Sequence, residues 1–145
     1  MKEVLRELAA QLGLECRTSL KEPAPSCEWL LDVVWWQKDH GAMLGVESEW
    51  GPAEKVIEDF AKLLSFKAPL KLMVYCADHS QEEGDVVFMA LQGMMTLFGQ
   101  HVEGEEYVLL DFSRHGRRAY SCKVPTSGRP SAAFRAIPLG PEKAS

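Results

Sequence analysis

Residues 28–49 constrain this chain more than any other stretch. Glu28-Trp-Leu-Leu-Asp-Val-Val-Trp-Trp36 packs β-branched and aromatic residues into a run too short for a typical helix, which predicts a strand. Gln37-Lys-Asp-His-Gly41 supplies a turn, and residues 42–49 read as a second strand, so the whole segment is a β-hairpin. Gly51-Pro52 then marks a helix start, since proline is tolerated in a first turn. Val56, Ile57, Phe60, Ala61, Leu63 and Leu64 give that helix an apolar stripe to about residue 65. Residues 70–77 are the most strand-like in the chain, and their apolar density predicts a central, buried strand. A polar loop at 78–84 leads to a second long helix at 85–100, with Phe88, Leu91, Met94, Met95 and Phe98. Residues 107–112 and 119–124 form a closing hairpin around Ser113-Arg-His-Gly-Arg117.

Ahead of the hairpin, Val4, Leu5, Leu8, Ala9 and Leu12 line one stripe of a helix over 2–13, which Gly13 can close. Residues 21–26 form a proline-containing loop. The expected order is therefore α-β-β-α-β-α-β-β, and a mixed β-sheet flanked by helices, an α/β fold, is the economical way to bury these faces. With 145 residues the chain fits one domain, expected over 1–125, followed by a proline-containing arm or tail at 126–145. A domain of about this size buries roughly 70% of its unfolded surface and folds without disulfides or zinc.

The net charge of −5 conceals an asymmetry. Residues 1–112 carry 9 basic and 20 acidic side chains, whereas 113–145 carry seven basic and one acidic. An acidic body with a basic C-terminal segment could set a phosphate-binding edge beside a carboxylate-rich site, or simply be a solvated hairpin and tail. Cys16, Cys27, Cys76 and Cys122 form no CxxC pair, and no histidine stands near them at a zinc-ligand spacing, so core or surface thiols are expected. No apolar run reaches 18 residues, and the charged N-terminus is unlike a signal peptide. A soluble, cytoplasmic protein with no membrane partner is expected.

Chemistry concentrates in the first hairpin. Asp32 interrupts an apolar strand, and strand interiors rarely carry acids without a reason. Glu47 and Glu49, two residues apart, point to one face. Folding the hairpin about residue 39 sets Asp32 opposite residue 46, beside Glu47, so three carboxylates are expected to converge. Their repulsion would raise a pKa or draw in a hard divalent cation. Oxygen-only ligands point to Mg²⁺, or Mn²⁺.

The succession of helix, Asp-bearing strand, acid-x-acid strand, helix and strand resembles the PD-(D/E)XK restriction-endonuclease-like nucleases over residues 1 to about 112. Leu31-Asp32-Val33 would supply the first acid and Val46-Glu47-Ser48-Glu49 the second motif. The usual second motif ends in lysine, and this one ends in Glu49, as in the BamHI-type enzymes. In other members the lysine comes from the following helix, where Lys62 is the candidate and Lys55 the second choice. The resemblance implies phosphodiester hydrolysis. Asp32, Glu47 and the Ser48 carbonyl would bind Mg²⁺, and Glu49 or Lys62 would orient the attacking water or stabilise transition-state charge. Glu3 or Glu7 could add a carboxylate from the first helix.

Arg114, Arg117 and Arg118 at a hairpin tip could clamp phosphates of a nucleic acid, DNA in the first instance. Trp29, Trp35, Trp36 and Trp50 surround the carboxylates, where core packing and base stacking are both open. The Met-rich stretch Phe88-Met-Ala-Leu-Gln-Gly-Met-Met95 reads as core or subunit interface. So short a chain has little surface for choosing a target, so a homodimer or larger assembly is expected. The alternative to a nuclease is a catalytically inactive module of the same fold that binds nucleic acid or a protein partner.

Overall fold

The computed structural model describes residues 1–18, 31–76, 81–113, 117–127 and 134–140. Along these residues run α1 (Lys2–Gln11), β1 (Glu15–Thr18), β2 (Val33–Gln37), β3 (Gly41–Glu49), α2 (Ala53–Ser65), β4 (Leu70–Tyr75), α3 (Gln81–Leu97), β5 (Glu106–Asp111), β6 (Arg118–Lys123) and β7 (Arg135–Ile137). The seven strands lie in chain order in a single sheet. Strands joined by short turns pair antiparallel, whereas the crossovers through α2 and α3 make β3, β4 and β5 parallel. The result is a mixed α/β architecture, as expected. No helix among the described residues is long and apolar enough to cross a membrane.

Alternation along the strands sorts the core into two layers. Val34, Met73, Tyr75, Tyr107 and Leu109 meet Val56, Phe60 and Leu63 of α2 and Val87, Leu91 and Met95 of α3. Val33, Trp35, Leu44 and Val46 face the other way, onto Leu5 and Ala9 of α1. The expected α1 stripe is only half used, because Val4, Leu8 and Leu12 remain exposed. Trp35 and Trp36 do point to opposite faces.

Two strands lay outside the sequence reading. β1 is four residues of mixed polarity on one edge, and β7 is three exposed residues on the other. β7 falls within the segment expected to be an arm, yet Arg135, Ala136 and Ile137 pair with Ser121, Tyr120 and Ala119. β2 starts at Val33, so Asp32 stands at the strand's entrance rather than in its middle. The loop expected at 21–26, Cys27 and Trp29 lie outside the described residues.

The hairpin carries one feature that alternation cannot supply. Asp39 and Gly41 turn the chain at positive φ. The ladder then pairs Trp36 with Ala42 but Trp35 with Leu44, which leaves Met43 as a β-bulge. The register accordingly slips by one, and Val33 pairs with Val46. Carried one residue further, Asp32 comes level with Glu47 itself rather than with residue 46.

On the α2 side, Gly45 leaves room for the helix end. A Cβ there would sit 2.8 Å from Leu31 Cδ1 and 2.9 Å from Phe66 Cδ1. In the same row of that face, across β4 and β5, lies a buried polar group. Lys71 Nζ donates to Tyr107 Oη at 2.7 Å and pairs with Glu105 Oε2 at 3.1 Å. Glu105 Oε2 also accepts from the Tyr107 hydroxyl and the Val102 backbone N–H. His101 bridges the Tyr107 hydroxyl and the Met95 carbonyl.

Candidate active site

Asp32 and Glu47 meet where β2 and β3 diverge. The Asp32 backbone N–H donates to Glu47 Oε2 at 3.2 Å. The Asp32 carboxylate leans the other way, accepting from the Ser48 backbone N–H at 3.0 Å and the Ser48 hydroxyl at 2.8 Å. Its second oxygen pairs with Lys2 Nζ at 3.0 Å, so α1 reaches the site through a lysine. Glu3 and Glu7, the acids expected from that helix, are exposed.

The α2 stripe of Val56, Phe60 and Leu63 seats the helix on the sheet, and Asp59 and Lys62 ride on the margin of that stripe. They lie one turn apart and pair at 2.5 Å. Lys62 Nζ also comes within 3.7 Å of Glu47 Oε1. Of the two lysines considered, Lys62 therefore reaches the carboxylates, while Lys55 pairs with Glu58 on the exposed side of the helix.

Charge in this cluster is unevenly settled. Burial opposes ionisation of Asp32, but the Lys2 ammonium and the two Ser48 donors outweigh it and hold the carboxyl below its ordinary range. Glu47 is only 4% exposed. Burial, with the Asp59 charge nearby, pushes its carboxyl up to about 7. Glu47 Oε1 is buried and accepts no hydrogen bond. Lys62 is held more firmly protonated, chiefly by its bond to Asp59.

Three carboxylates do not converge as expected. Glu49 is claimed by the turn that follows it, accepting the Gly51 backbone N–H at 2.6 Å. Among the described residues no group of three or more His, Cys, Asp or Glu side chains is placed to hold a metal. The donor set fits a hard cation in a smaller way. Magnesium commonly takes one or two protein carboxylates and completes its shell with water and substrate phosphate. Asp32, Glu47 and the Ser48 carbonyl are the residues that would hold it, and the orphaned Glu47 oxygen is an acceptor awaiting a partner.

The arginines divide. Arg118 clamps the buried Asp111 through Nε at 3.1 Å and Nη2 at 2.7 Å, and reaches Asp85 of α3 at 2.8 Å, so it ties β5 and β6 to the helix. Arg117 lies over the Phe112 ring, 5.9 Å from its centre. Arg114 lies outside the described residues. Sequence reasoning missed Lys2 and Asp59 as members of the cluster. The Asp59-x-x-Lys62 spacing signals one of them, whereas the Lys2 contact depends on how α1 packs.

Comparison with models of known protein families gives no match, and comparison with curated proteins gives none either. The functional reading rests on the residues themselves.

Proposed function

We propose that this protein is a metal-dependent phosphodiesterase acting on nucleic acid, DNA in the first instance, in the manner of the PD-(D/E)XK nucleases. The observation that carries the reading is the buried Glu47 carboxylate. One of its oxygens is bonded to the Asp32 backbone, and the other accepts no hydrogen bond and lies 3.7 Å from Lys62. An acid, a second acid and a lysine carried on the next helix are the groups that the resemblance requires, and their proximity supports it.

A divalent cation, when bound, polarises the scissile phosphate and lowers the pKa of the attacking water. The chain's own groups do the rest. The Ser48 donors fix the Asp32 carboxylate, and the Asp32 N–H fixes Glu47. Asp59 keeps Lys62 protonated and aimed at the carboxylates, where its ammonium can meet the charge that develops on the phosphate oxygens. Glu49, held by Gly51, acts on the turn rather than on the water. A homodimer or larger assembly goes with this reading, since one domain of this size leaves little surface for choosing a target.

One observation favours the alternative, an inactive module of the same fold. Lys2 pairs with Asp32, and a protonated Glu47 needs no cation, so the cluster can balance its charge without metal. A titration with Mg²⁺ and with Mn²⁺ decides between them, using supercoiled plasmid and labelled single strands. Cleavage by wild type that requires metal and disappears in Asp32→Ala and Glu47→Ala is the expected result. Nucleic-acid binding without cleavage selects the inactive module, and neither binding nor cleavage ends the phosphodiesterase reading and leaves only a module that binds a protein partner.

A further inference from the structure

The described tryptophans are not alike. Trp35 is buried under α1, and Trp36 is half-buried with Arg17 over its ring. Trp50 is 55% exposed, directly after Glu49, and its ring centre lies 5.9 Å from that of Phe112, itself 37% exposed. Isolated exposed apolar residues are ordinary, but two aromatic rings in contact with each other and with water are not.

Their position follows from the register. Glu49, Tyr75 and Asp111 form one row across β3, β4 and β5. The ladder continues one step, with Cys76 N–H donating to the Glu49 carbonyl and Phe112 N–H to that of Tyr75. Trp50 and Phe112 therefore stand just beyond the C-terminal ends of the parallel strands. Alternation puts Phe112 on the face opposite the buried Asp111, which is the face Ser48 shares. Trp50 is two residues from Ser48, the residue whose N–H and hydroxyl bind Asp32, a separation of about 7 Å along the strand.

Arg117, from the basic C-terminal segment, completes the group by lying over Phe112. Two partly exposed rings and a guanidinium, at the end of the sheet that carries Asp32 and Ser48 and on the face opposite Glu47 and Lys62, have a defined complement: an unpaired base with its flanking phosphate. A duplex keeps its bases stacked on one another and cannot offer that face.

We infer that Trp50, Phe112 and Arg117 form a stacking platform for an unpaired nucleotide, making single-stranded nucleic acid the substrate class of the site. This rests on the phosphodiesterase reading for what happens next, but not for binding. Base stacking on aromatic side chains contributes roughly 1–3 kcal/mol per base, so the platform should change affinity about tenfold.

The test is fluorescence anisotropy in EDTA with the full chain, using labelled oligothymidylate, an abasic strand of equal length, and a duplex. Wild type should bind oligothymidylate about tenfold more tightly than the abasic strand. Trp50→Ala and Phe112→Ala should each shrink that difference, while Trp50→Phe keeps most of it. Arg117→Ala should weaken binding to both single strands and lower the log–log salt slope by about 1. Equal binding of thymidylate and abasic strands overturns the platform, as does tighter binding of duplex or an unchanged Trp50→Ala. Metal-dependent cleavage, scored separately with Asp32→Ala, reports on the phosphodiesterase reading whichever way the binding falls.

Discussion

Two buried charged groups sit on the same face of this sheet, one row apart. Around Lys71 and Glu105 every contact closes: one carboxylate oxygen accepts from an ammonium, a hydroxyl and a backbone N–H, and a histidine seals the hydroxyl. Around Glu47 the contacts stay open. Asp32, Glu47 and Asp59 face Lys2 and Lys62, and one buried oxygen accepts no hydrogen bond. The closed group is built for cohesion, whereas the open one is where the proposed phosphodiesterase reading puts a ligand.

The contrast can be broken most sharply at Lys71. Lys71→Met strands the Glu105 carboxylate in the interior and should cost about 3–5 kcal/mol in urea unfolding. A loss below about 1 kcal/mol would mean that the closed group is no more cohesive than a surface pair.

Glu47 should behave in the opposite sense. Its carboxyl rises from 4.5 to about 7 on folding, so between those values the folded chain holds a proton that the unfolded chain has released. Metal-free protein therefore loses stability as pH rises from about 4.5 to about 7, by up to about 3 kcal/mol, and changes little from this group above that. Glu47→Gln should remove the dependence and be more stable than wild type at pH 8 while abolishing cleavage. Urea midpoints in EDTA at pH 5 and pH 8 check both statements.

Smaller effects sharpen the picture. Lys62→Met should lower the cleavage rate about 10²-fold, with little change in affinity for a single strand measured in EDTA. Glu49→Gln should move stability by less than about 0.5 kcal/mol and leave the rate within a few-fold, because its contact is to the turn at Gly51. A large rate loss from Glu49→Gln would return that acid to the water-orienting role.

What could be read from the sequence follows from what makes each element. The two hairpins, the central strand and the second and third helices are dense in β-branched or periodic apolar residues, and they stand close to where expected. β2 opens only at Val33, however, and α3 opens at Gln81, inside the loop expected at 78–84. β1 and β7 are short, polar edge strands whose pairing is decided by their neighbours, so no local pattern marks them. Asp32, Glu47, Ser48 and Lys62 were visible because acids in an apolar hairpin and a lysine one turn from an aspartate are local signals. Lys2 at Asp32, and the capture of Arg118 by Asp111 and Asp85, depend on packing between distant segments. The contact of Glu49 with the Gly51 N–H was not legible, because a two-residue spacing gives the direction of a side chain but not its partner.

The bulge at Met43 sets the phase in which β3 is read. On the turn side of it, residues can be added or removed at 38–40 without altering which side chains meet further along. Beyond it, loss of a single residue would invert the remainder of the strand, carrying Glu47 into the oily layer beneath α1 and turning Val46 to the α2 side, where Leu31 and Phe66 leave no room for it. Length variation in this hairpin is therefore permitted on one side of Met43 and forbidden on the other, and a reporter peptide belongs at Asp39.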